Sequence, residues 1–129
     1  MEKDFDSWNT LKQKLDIKSN IPRFKQGEVW WCHLGSNVGD EENGKGKVHS
    51  RPILIMRKFN KHIFWGVPLT TQIKEKHYYH KITFKDKEQC AMLSQLKLCD
   101  ARRLTSKMGK VAQKHLDDIK NIISEMILE

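Results

Sequence analysis

Apolar positions change their spacing twice along the chain, and each change predicts a different kind of element. Residues 4–17 carry apolar side chains at i, i+3 and i+7, which predicts a short helix. The segment SNIP at 19–22 breaks this pattern and is expected to be a linker. Residues 113–128 return to a spacing of three and four, which predicts an amphipathic C-terminal helix. The chain is therefore expected to carry a helix near each end.

Between these helices the sequence predicts short β-strands, rich in β-branched and aromatic residues, at 28–34, 52–59, 62–70, 78–84, 89–99 and 108–112. The step at Asn60 and Lys61 predicts a tight hairpin. The segment 89–99 is either one long strand or two strands that meet at Ser94, and 100–107 contains a short turn or 3₁₀ piece. Because the strands follow one another without a βαβ rhythm, we expect a small antiparallel barrel with appended helices.

Two polar segments interrupt the predicted strands. Residues 35–50 form a long glycine-rich loop, and residues 71–77 form a shorter one. Loops as long as the first are commonly functional or disordered in compact domains. Its GKGK segment at 44–47 is not a Walker motif, because Val48 and a strand follow where that motif needs Ser or Thr and a helix.

The charge of the chain is concentrated in its middle. The 129 residues include 24 Lys and Arg and 16 Asp and Glu, a net charge of +8. Residues 43–114 hold 17 basic and 4 acidic side chains, or +13, and the remainder carries −5. A basic middle segment favours a surface that binds a polyanion.

The length of the chain suits one domain of ~100–200 residues. No apolar run reaches the ~18 residues that a membrane span needs. The N-terminus lacks the apolar region of a signal peptide.

Metal and covalent chemistry receive little support from the sequence. The three cysteines form no CxxC pair, so we expect small buried side chains in a reducing compartment. His77 and His80 would lie on opposite faces of a strand, which favours solvated histidines over metal ligands. No HExxH or G-x-S-x-G motif is present. We therefore expect no metal and no cofactor.

Polar residues at strand ends give a more specific indication. Arg51 precedes an apolar strand, and Thr70 and Thr71 end the next one. In an antiparallel hairpin, the start of one strand and the end of its partner lie at the same edge. Arg51 and Thr70 are therefore expected to face one point in space although they are 19 positions apart. Either residue alone would also suit an ordinary surface or strand position.

Four segments carry a resemblance to a known family: GEVWW (27–31), VGDE (38–41) leading to RPILI (51–55), VPLTTQIK (67–74) and SQLKLCDARRL (94–104). In this order they resemble the MazF/PemK/Kid toxins of bacterial type II toxin–antitoxin systems. The similarity covers roughly residues 25 to 126. The segment before it looks like an extension of the common pattern.

The resemblance implies a mainly β fold, an SH3-like small antiparallel β-barrel with a C-terminal α-helix, in residues 25–129. Residues 1–24 would form an N-terminal helical extension and linker. The implied protein is a cytoplasmic homodimer and a sequence-specific, metal-independent endoribonuclease. It would cleave single-stranded RNA, such as mRNA, to a 2′,3′-cyclic phosphate and a 5′-hydroxyl. A cognate antitoxin protein would block it by laying an extended segment over the RNA groove.

Carried over position by position, the resemblance implies Arg51 and Thr70 as catalytic residues, and it assigns the acid of the long loop to Glu41. His49 is a further candidate acid or base, since an unperturbed imidazole pKa of about 6.5 suits that role. The expected RNA contacts are Lys45, Lys47, Thr71, Lys74, Gln95 and Lys97. The sequence departs from many relatives at Ser94, where they have an acid, and at Lys97, where they have Arg, and its long loop is longer than usual. Trp30, Trp31 and Trp65 are expected in the core.

Two other functions stay open. The domain would be a non-catalytic nucleic-acid-binding module if it bound RNA without cutting it. It would be a toxin of the same fold with a protein target if, like gyrase-poisoning relatives, it inhibited supercoiling. Arg51 and Thr70 argue for the enzyme.

Overall fold

The computed structural model describes residues 20–34 and 50–129. Its elements in chain order are β1 (Glu28–His33), β2 (Ser50–Lys58), β3 (Ile63–Thr70), β4 (Tyr79–Phe84), β5 (Lys87–Met92), β6 (Lys97–Asp100), β7 (Leu104–Lys110) and the helix α1 (Gln113–Leu128). Two 3₁₀ turns, Leu93–Gln95 and Ala101–Arg103, flank β6. The predicted N-terminal helix and most of the long loop lie outside the described residues, and the domain boundary after residue 24 stays a prediction.

The central strand β2 has an apolar layer on each face. All neighbouring strands are antiparallel, in the order β4-β5-β3-β2-β1-β7, with β6 beside β3. Leu54 and Met56 of β2 pack in a cluster with Leu116 of α1, whereas Ile53 and Ile55 pack in a second cluster around Phe24. A strand covered on both faces reads as a continuous apolar run, as this one does.

The predicted antiparallel sheet is confirmed, whereas a closed SH3-like barrel is not. Among the described strands, no ladder joins the two outer strands β4 and β7. The ring of Phe84 in β4 nevertheless packs on Gly109 of β7, where an added Cβ would lie 3.0 Å from Phe84 Cζ. Only glycine permits this close approach without displacement of the ring.

The strand boundaries differ from the prediction in the last third of the chain. Segment 89–99 forms two strands, and Ser94 lies in the 3₁₀ turn between them. The final strand begins at Leu104 rather than at residue 108. This strand lies at an outer position of the sheet and its residues Thr105 to Lys107 are exposed, so its polar start lacks the apolar signal of a buried strand.

The predicted burial of the cysteines is confirmed, and the predicted burial of the tryptophans is confirmed only in part. Cys32, Cys90 and Cys99 are buried and free. Trp30 is buried, but Trp31 is 38% exposed and Trp65 is 43% exposed. Composition cannot tell which face of a strand a large aromatic residue occupies, which is why the core assignment of these two residues was wrong.

Glu28 is a buried carboxylate that links β1 to its surroundings. Its Oε1 accepts hydrogen bonds from the Lys25 backbone N–H at 2.8 Å and from Trp30 Nε1 at 3.0 Å. Its Oε2 lies 2.8 Å from Lys107 Nζ on the neighbouring strand β7. Burial raises the pKa of Glu28, but the bonds from Lys107, Trp30 and Lys25 together outweigh it and leave the pKa below its usual value.

Helix α1 follows the predicted bounds and covers one side of the sheet. Leu116 and Ile119 are its buried residues, and they pack on the cluster that contains Leu54. Its remaining apolar side chains, such as Ile127, are partly or fully exposed. Neither described range contains a helix with the length and apolarity that a bilayer crossing requires.

Candidate RNA-binding and active site

Arg51 and Thr70 lie at the same edge of the sheet, as the sequence predicted. Ile53 pairs with Pro68 in the antiparallel β2–β3 ladder. Two residues before Ile53 and two residues after Pro68, the same register brings Arg51 opposite Thr70. A direct contact supports this placement, since Arg51 Nη1 donates a hydrogen bond to the Leu69 backbone oxygen at 3.3 Å. Both side chains are buried, with 2% of Arg51 and 4% of Thr70 exposed. A guanidinium and a hydroxyl are therefore held side by side in a partly dry environment.

The hydroxyl of Thr70 also shapes the turn that follows β3. Its Oγ1 accepts a hydrogen bond from the Gln72 backbone N–H at 3.2 Å. Bonds of this kind, from a side chain to the backbone two residues on, stabilise tight turns. The hydroxyl hydrogen is still able to donate to a further acceptor, because one hydroxyl can accept and donate at once.

Strand β5 links this edge to the loop at 71–77. Thr70 pairs with Cys90, and Cys90 Sγ approaches the Lys74 backbone oxygen at 3.9 Å. The loop therefore folds back over β5 rather than extending into solvent. This path places Lys74, an expected RNA contact, one strand away from Thr70.

A surface depression of about 600 Å³ opens beside Lys74; its lining residues are Lys74, Lys76, Tyr78, Tyr79, Ser94, Gln95 and Met126. Two expected RNA contacts, Lys74 and Gln95, thus share one concave surface. Among the residues that the structure describes, this lining carries two cations and no carboxylate. It suits a ligand that combines negative charge with a flat ring.

Sequence reasoning missed two aromatic residues in this depression. The ring centroids of Tyr78 and Tyr79 are 5.2 Å apart, with the ring planes tilted by 47°. Lys74 Nζ lies 5.2 Å from the Tyr79 ring centroid, and Lys76 Nζ lies 5.9 Å from that of Tyr78. The available signal was the alternation of lysines followed by paired tyrosines in KEKHYY at 74–79. Basic residues interleaved with aromatic ones are typical of single-stranded nucleic-acid binding.

The other predicted site residues are more scattered. Thr71 is exposed directly after Thr70. Lys97 lies in β6, where it pairs with Gly66, and it does not line the depression. Its positive charge lies near the buried thiols of Cys32 and Cys99, and its contact with RNA stays a prediction. Four further candidates, Glu41, Lys45, Lys47 and His49, lie outside the described residues.

Two histidines, His33 and His80, lie in buried or partly buried surroundings, and for His80 this differs from the solvated position that the sequence favoured. His33 is buried and its Nδ1 lies 3.0 Å from Ser50 Oγ, directly before Arg51 in the chain. The His80 and His115 rings lie 6.2 Å apart between β4 and α1, and burial lowers the pKa of His80. Within residues 20–34 and 50–129, no cluster of three His, Cys, Asp or Glu side chains is arranged to hold a metal ion.

The family of the chain follows from its sequence. Residues 25–127 match the family described as the PemK-like, MazF-like toxin of type II toxin–antitoxin systems. The chain belongs to this family. It is therefore a MazF/PemK toxin of a toxin–antitoxin system, as the resemblance implied. No curated protein sequence matches the chain at a significant level.

Solved MazF structures share the fold of this toxin at low sequence identity. MazF from Deinococcus radiodurans is 13% identical with a TM-score of 0.64, and the alignment covers 86% of this chain and 100% of that one. An endoribonuclease from a mycobacterial species, solved in complex with its cognate antitoxin, is 15% identical with a TM-score of 0.64 and coverages of 81% and 95%. The toxin MazF-mt6 of Mycobacterium tuberculosis is 10% identical with a TM-score of 0.57 and coverages of 76% and 93%. These similarities support the MazF fold of the described sheet and helix.

Proposed function

We propose that this MazF-like toxin is a metal-independent endoribonuclease that cleaves single-stranded RNA at a short sequence. The observation that carries the proposal is the buried guanidinium of Arg51, hydrogen-bonded to Leu69 beside the Thr70 hydroxyl. The cationic and aromatic depression next to this edge supports RNA rather than a small ligand as the substrate. Similarity to proteins described as endoribonucleases supports the same class of activity.

The proposed reaction is an in-line attack within the RNA chain. The ribose 2′-oxygen forms a bond to the adjacent phosphorus, and the bond from phosphorus to the 5′-oxygen breaks. A base takes the proton from the 2′-hydroxyl, and an acid delivers a proton to the departing 5′-oxygen. The products are a 2′,3′-cyclic phosphate and a 5′-hydroxyl. Because the nucleophile belongs to the substrate, correct positioning supplies a large part of the acceleration.

Arg51 and Thr70 would stabilise the charge that develops on the phosphate. A planar guanidinium matches two phosphate oxygens and keeps its charge at every relevant pH. The Thr70 hydroxyl would donate a third hydrogen bond to the same group. Donors placed at a developing oxyanion are each worth about 2.7–4 kcal/mol in a water-poor site.

Proton transfer requires a group other than Arg51, because a guanidinium stays protonated in proteins and is therefore a poor base. We keep His49 and Glu41 as the candidates for this role. If the cleavage rate of His49→Ala equals that of the wild type at every pH, His49 has no part in proton transfer. The same measurement on Glu41→Gln tests the second candidate.

We further propose an antitoxin and a second copy of the chain as partners. A toxin of similar fold has been solved with its cognate antitoxin, which supports the first partner. Exposed apolar side chains of Phe59, Trp65, Leu98 and Ile127 supply surface that a second copy would cover. Light scattering on the purified chain, compared with Trp65→Lys, tests dimer formation.

Cleavage of a defined RNA pool tests the proposed activity. The purified protein should cut mixed-sequence single-stranded RNA in the presence of EDTA, and Arg51→Ala should not. Mapping the 5′-ends of the fragments identifies the motif and the 5′-hydroxyl. Intact RNA would reject the endoribonuclease. Salt-sensitive binding of that intact RNA would favour a binding module, and inhibited supercoiling would favour a protein target.

A further inference from the structure

We propose that Cys32 and Cys99 are a redox-sensitive thiol pair, which a peroxide converts to a disulfide, and that this disulfide slows RNA cleavage at the neighbouring Arg51. The part that concerns cleavage rests on the proposed function, whereas the formation of the disulfide does not. Both cysteines are free thiols in the structure. In the reducing compartment that the sequence predicts, disulfides are usually transient and serve catalysis or redox sensing.

The two thiols meet inside the core although they come from different parts of the sheet. Strand β1, with Cys32, pairs with β2 and β7, whereas β6, with Cys99, pairs with β3. Both side chains pack in the cluster around Phe24. The thiol of Cys32 donates a hydrogen bond to the sulfur of Cys99. Because the side chains are already in contact, a disulfide requires a displacement of the two sulfurs rather than of whole strands.

Cys99 is the sulfur that is prepared to react. The pKa of its thiol is lowered, chiefly because Cys32 donates a hydrogen bond to it. The positive charges of Lys97 and Arg103 act in the same direction, and together these effects outweigh burial. The thiolate is the nucleophilic form of cysteine. Cys99 is 6% exposed and Cys32 is fully buried, so an oxidant reaches Cys99 first.

The proposed oxidation has two steps. The Cys99 thiolate attacks one oxygen of hydrogen peroxide, the O–O bond breaks, and the products are a sulfenic acid and hydroxide. The sulfur of Cys32 then attacks the sulfur of this sulfenic acid, the S–O bond breaks, and the hydroxyl group leaves with the Cys32 proton as water. The two sulfurs lose two electrons in total, which the peroxide gains. A dithiol reductant reverses the change.

Cys32 connects the thiol pair to the candidate active site. It pairs with Arg51 across the β1–β2 ladder, and both side chains are buried. Residues that pair directly across two antiparallel strands project from the same face of the sheet, so a bond at Cys32 changes the packing beside the guanidinium. A displacement of about 1 Å at a positioning group can cost about 10²-fold in rate. Oxidation is therefore expected to slow cleavage.

Cys90 provides a control within the same chain. It is buried and free, as the other two are, but it lies in β5 and its Sγ approaches the Lys74 backbone oxygen at 3.9 Å. Among the described residues, the cluster around Phe24 contains Cys32 and Cys99 and not Cys90. Oxidation of the folded protein should therefore spare Cys90, whereas oxidation that follows unfolding would modify all three cysteines.

Mass spectrometry of the full-length wild-type protein tests the pair without a variant. The folded protein is treated with hydrogen peroxide, denatured, alkylated and digested with trypsin, which places the three cysteines in separate peptides. We expect one alkylated thiol, at Cys90, and one disulfide that joins the Cys32 and Cys99 peptides. Dithiothreitol should restore three thiols. Three thiols after a treatment that fully oxidises a small-molecule thiol would overturn the proposal, as would oxidation of Cys90 to the same extent as the pair.

The cleavage rate tests the connection to Arg51. On single-stranded RNA, the oxidised wild type should be at least about tenfold slower than the reduced protein, and dithiothreitol should restore the rate. Peroxide should leave the rate of Cys99→Ala unchanged, and Cys90→Ala should respond as the wild type does. A disulfide without a change in rate would overturn the connection to Arg51. Intact RNA with the reduced protein would reject the endoribonuclease instead, and the mass spectrum would still decide whether the disulfide forms.

Discussion

The guanidinium Nη1 of Arg51 donates a hydrogen bond to the backbone oxygen of Leu69 at 3.3 Å. The two residues lie on neighbouring antiparallel strands, so this bond fixes the guanidinium beside the end of β3. The planar group carries its N–H donors in a fixed fork, a shape that matches carboxylate and phosphate oxygens. The bond to Leu69 therefore sets the direction in which this fork points.

Arg51→Lys tests whether shape as well as charge is required at this edge. A lysine keeps the positive charge but cannot present two parallel donors, so we expect the single-turnover cleavage rate to fall about 10²–10³-fold. Arg57→Lys, in the same strand at an exposed position, is the matched control and should cleave at the wild-type rate. A rate for Arg51→Lys within threefold of the wild type would show that charge alone suffices.

Thr70 allows a second comparison, between hydroxyl and methyl. Thr70→Ser keeps an oxygen that accepts from the Gln72 N–H, whereas Thr70→Val removes it. We expect Thr70→Val to lower the cleavage rate about 10²-fold through loss of one donor and of the turn, and Thr70→Ser to stay within about fivefold of the wild type. Thr83→Val, in the exposed part of β4, serves as the control. Equal rates for the two Thr70 variants would remove the hydroxyl from the mechanism.

The meeting of Arg51 and Thr70 could be predicted because it depends on local rules. Two apolar strands joined by a tight turn form a hairpin, and in a hairpin the start of the first strand lies beside the end of the second. The Asn60 side chain stabilises this turn, because its Oδ1 accepts hydrogen bonds from the backbone N–H groups of His62 and Ile63. The tyrosine pair could not be predicted in this way. The KEKHYY pattern could indicate a binding role for the tyrosines, but their position depends on the path of the loop at 71–77 beside β5, which is a tertiary contact that the pattern does not specify.

The errors in the core also have a physical cause. Trp31 and Trp65 are large and apolar, but each lies on the exposed face of its strand, and apolar content does not identify the face. The early start of β7 was missed because an outer strand needs no apolar alternation. Periodicity predicts structure well where burial is one-sided and poorly where strands are doubly covered or at an edge.

Gly66→Ala tests the packing of the central hairpin. A Cβ at Gly66 would lie 2.5 Å from Ile53 Cδ1, and Ile53 is fully buried on the adjacent strand. Overpacking of this kind costs about 1–3 kcal/mol in free energy of unfolding, measured by urea denaturation. Ile53→Ala in the Gly66→Ala background should be less destabilising than in the wild type, because it removes the clashing atoms. Simple additivity of the two changes would show that the clash is relieved elsewhere.

The lowered pKa of Glu28 predicts how the free energy of unfolding changes with pH. Its pKa is lowered in the folded protein, so its carboxylate stabilises the fold above the unfolded pKa, near 4.5. This contribution is lost as the pH falls through the lower folded pKa, where the carboxylate takes up a proton. Glu28→Gln keeps an oxygen for Trp30 and Lys25 but loses the ion pair with Lys107. We expect it to lower the free energy of unfolding by about 1–2 kcal/mol at pH 7.

Measuring the free energy of unfolding across a range of pH distinguishes loss of the Glu28–Lys107 ion pair from a change in packing caused by the glutamine side chain. The difference between wild type and Glu28→Gln, measured by urea denaturation, should shrink as the pH is lowered from 7 to below the folded pKa of Glu28, because both side chains are then neutral. Glu88→Gln is the control, since Glu88 is exposed and its carboxylate lies 3.9 Å from Lys81 Nζ, a long surface contact. It should shift the free energy of unfolding by less than about 0.5 kcal/mol at any pH. A Glu28→Gln difference that stays constant across this range would mean that packing, and not the charge on Glu28, links β1 to β7.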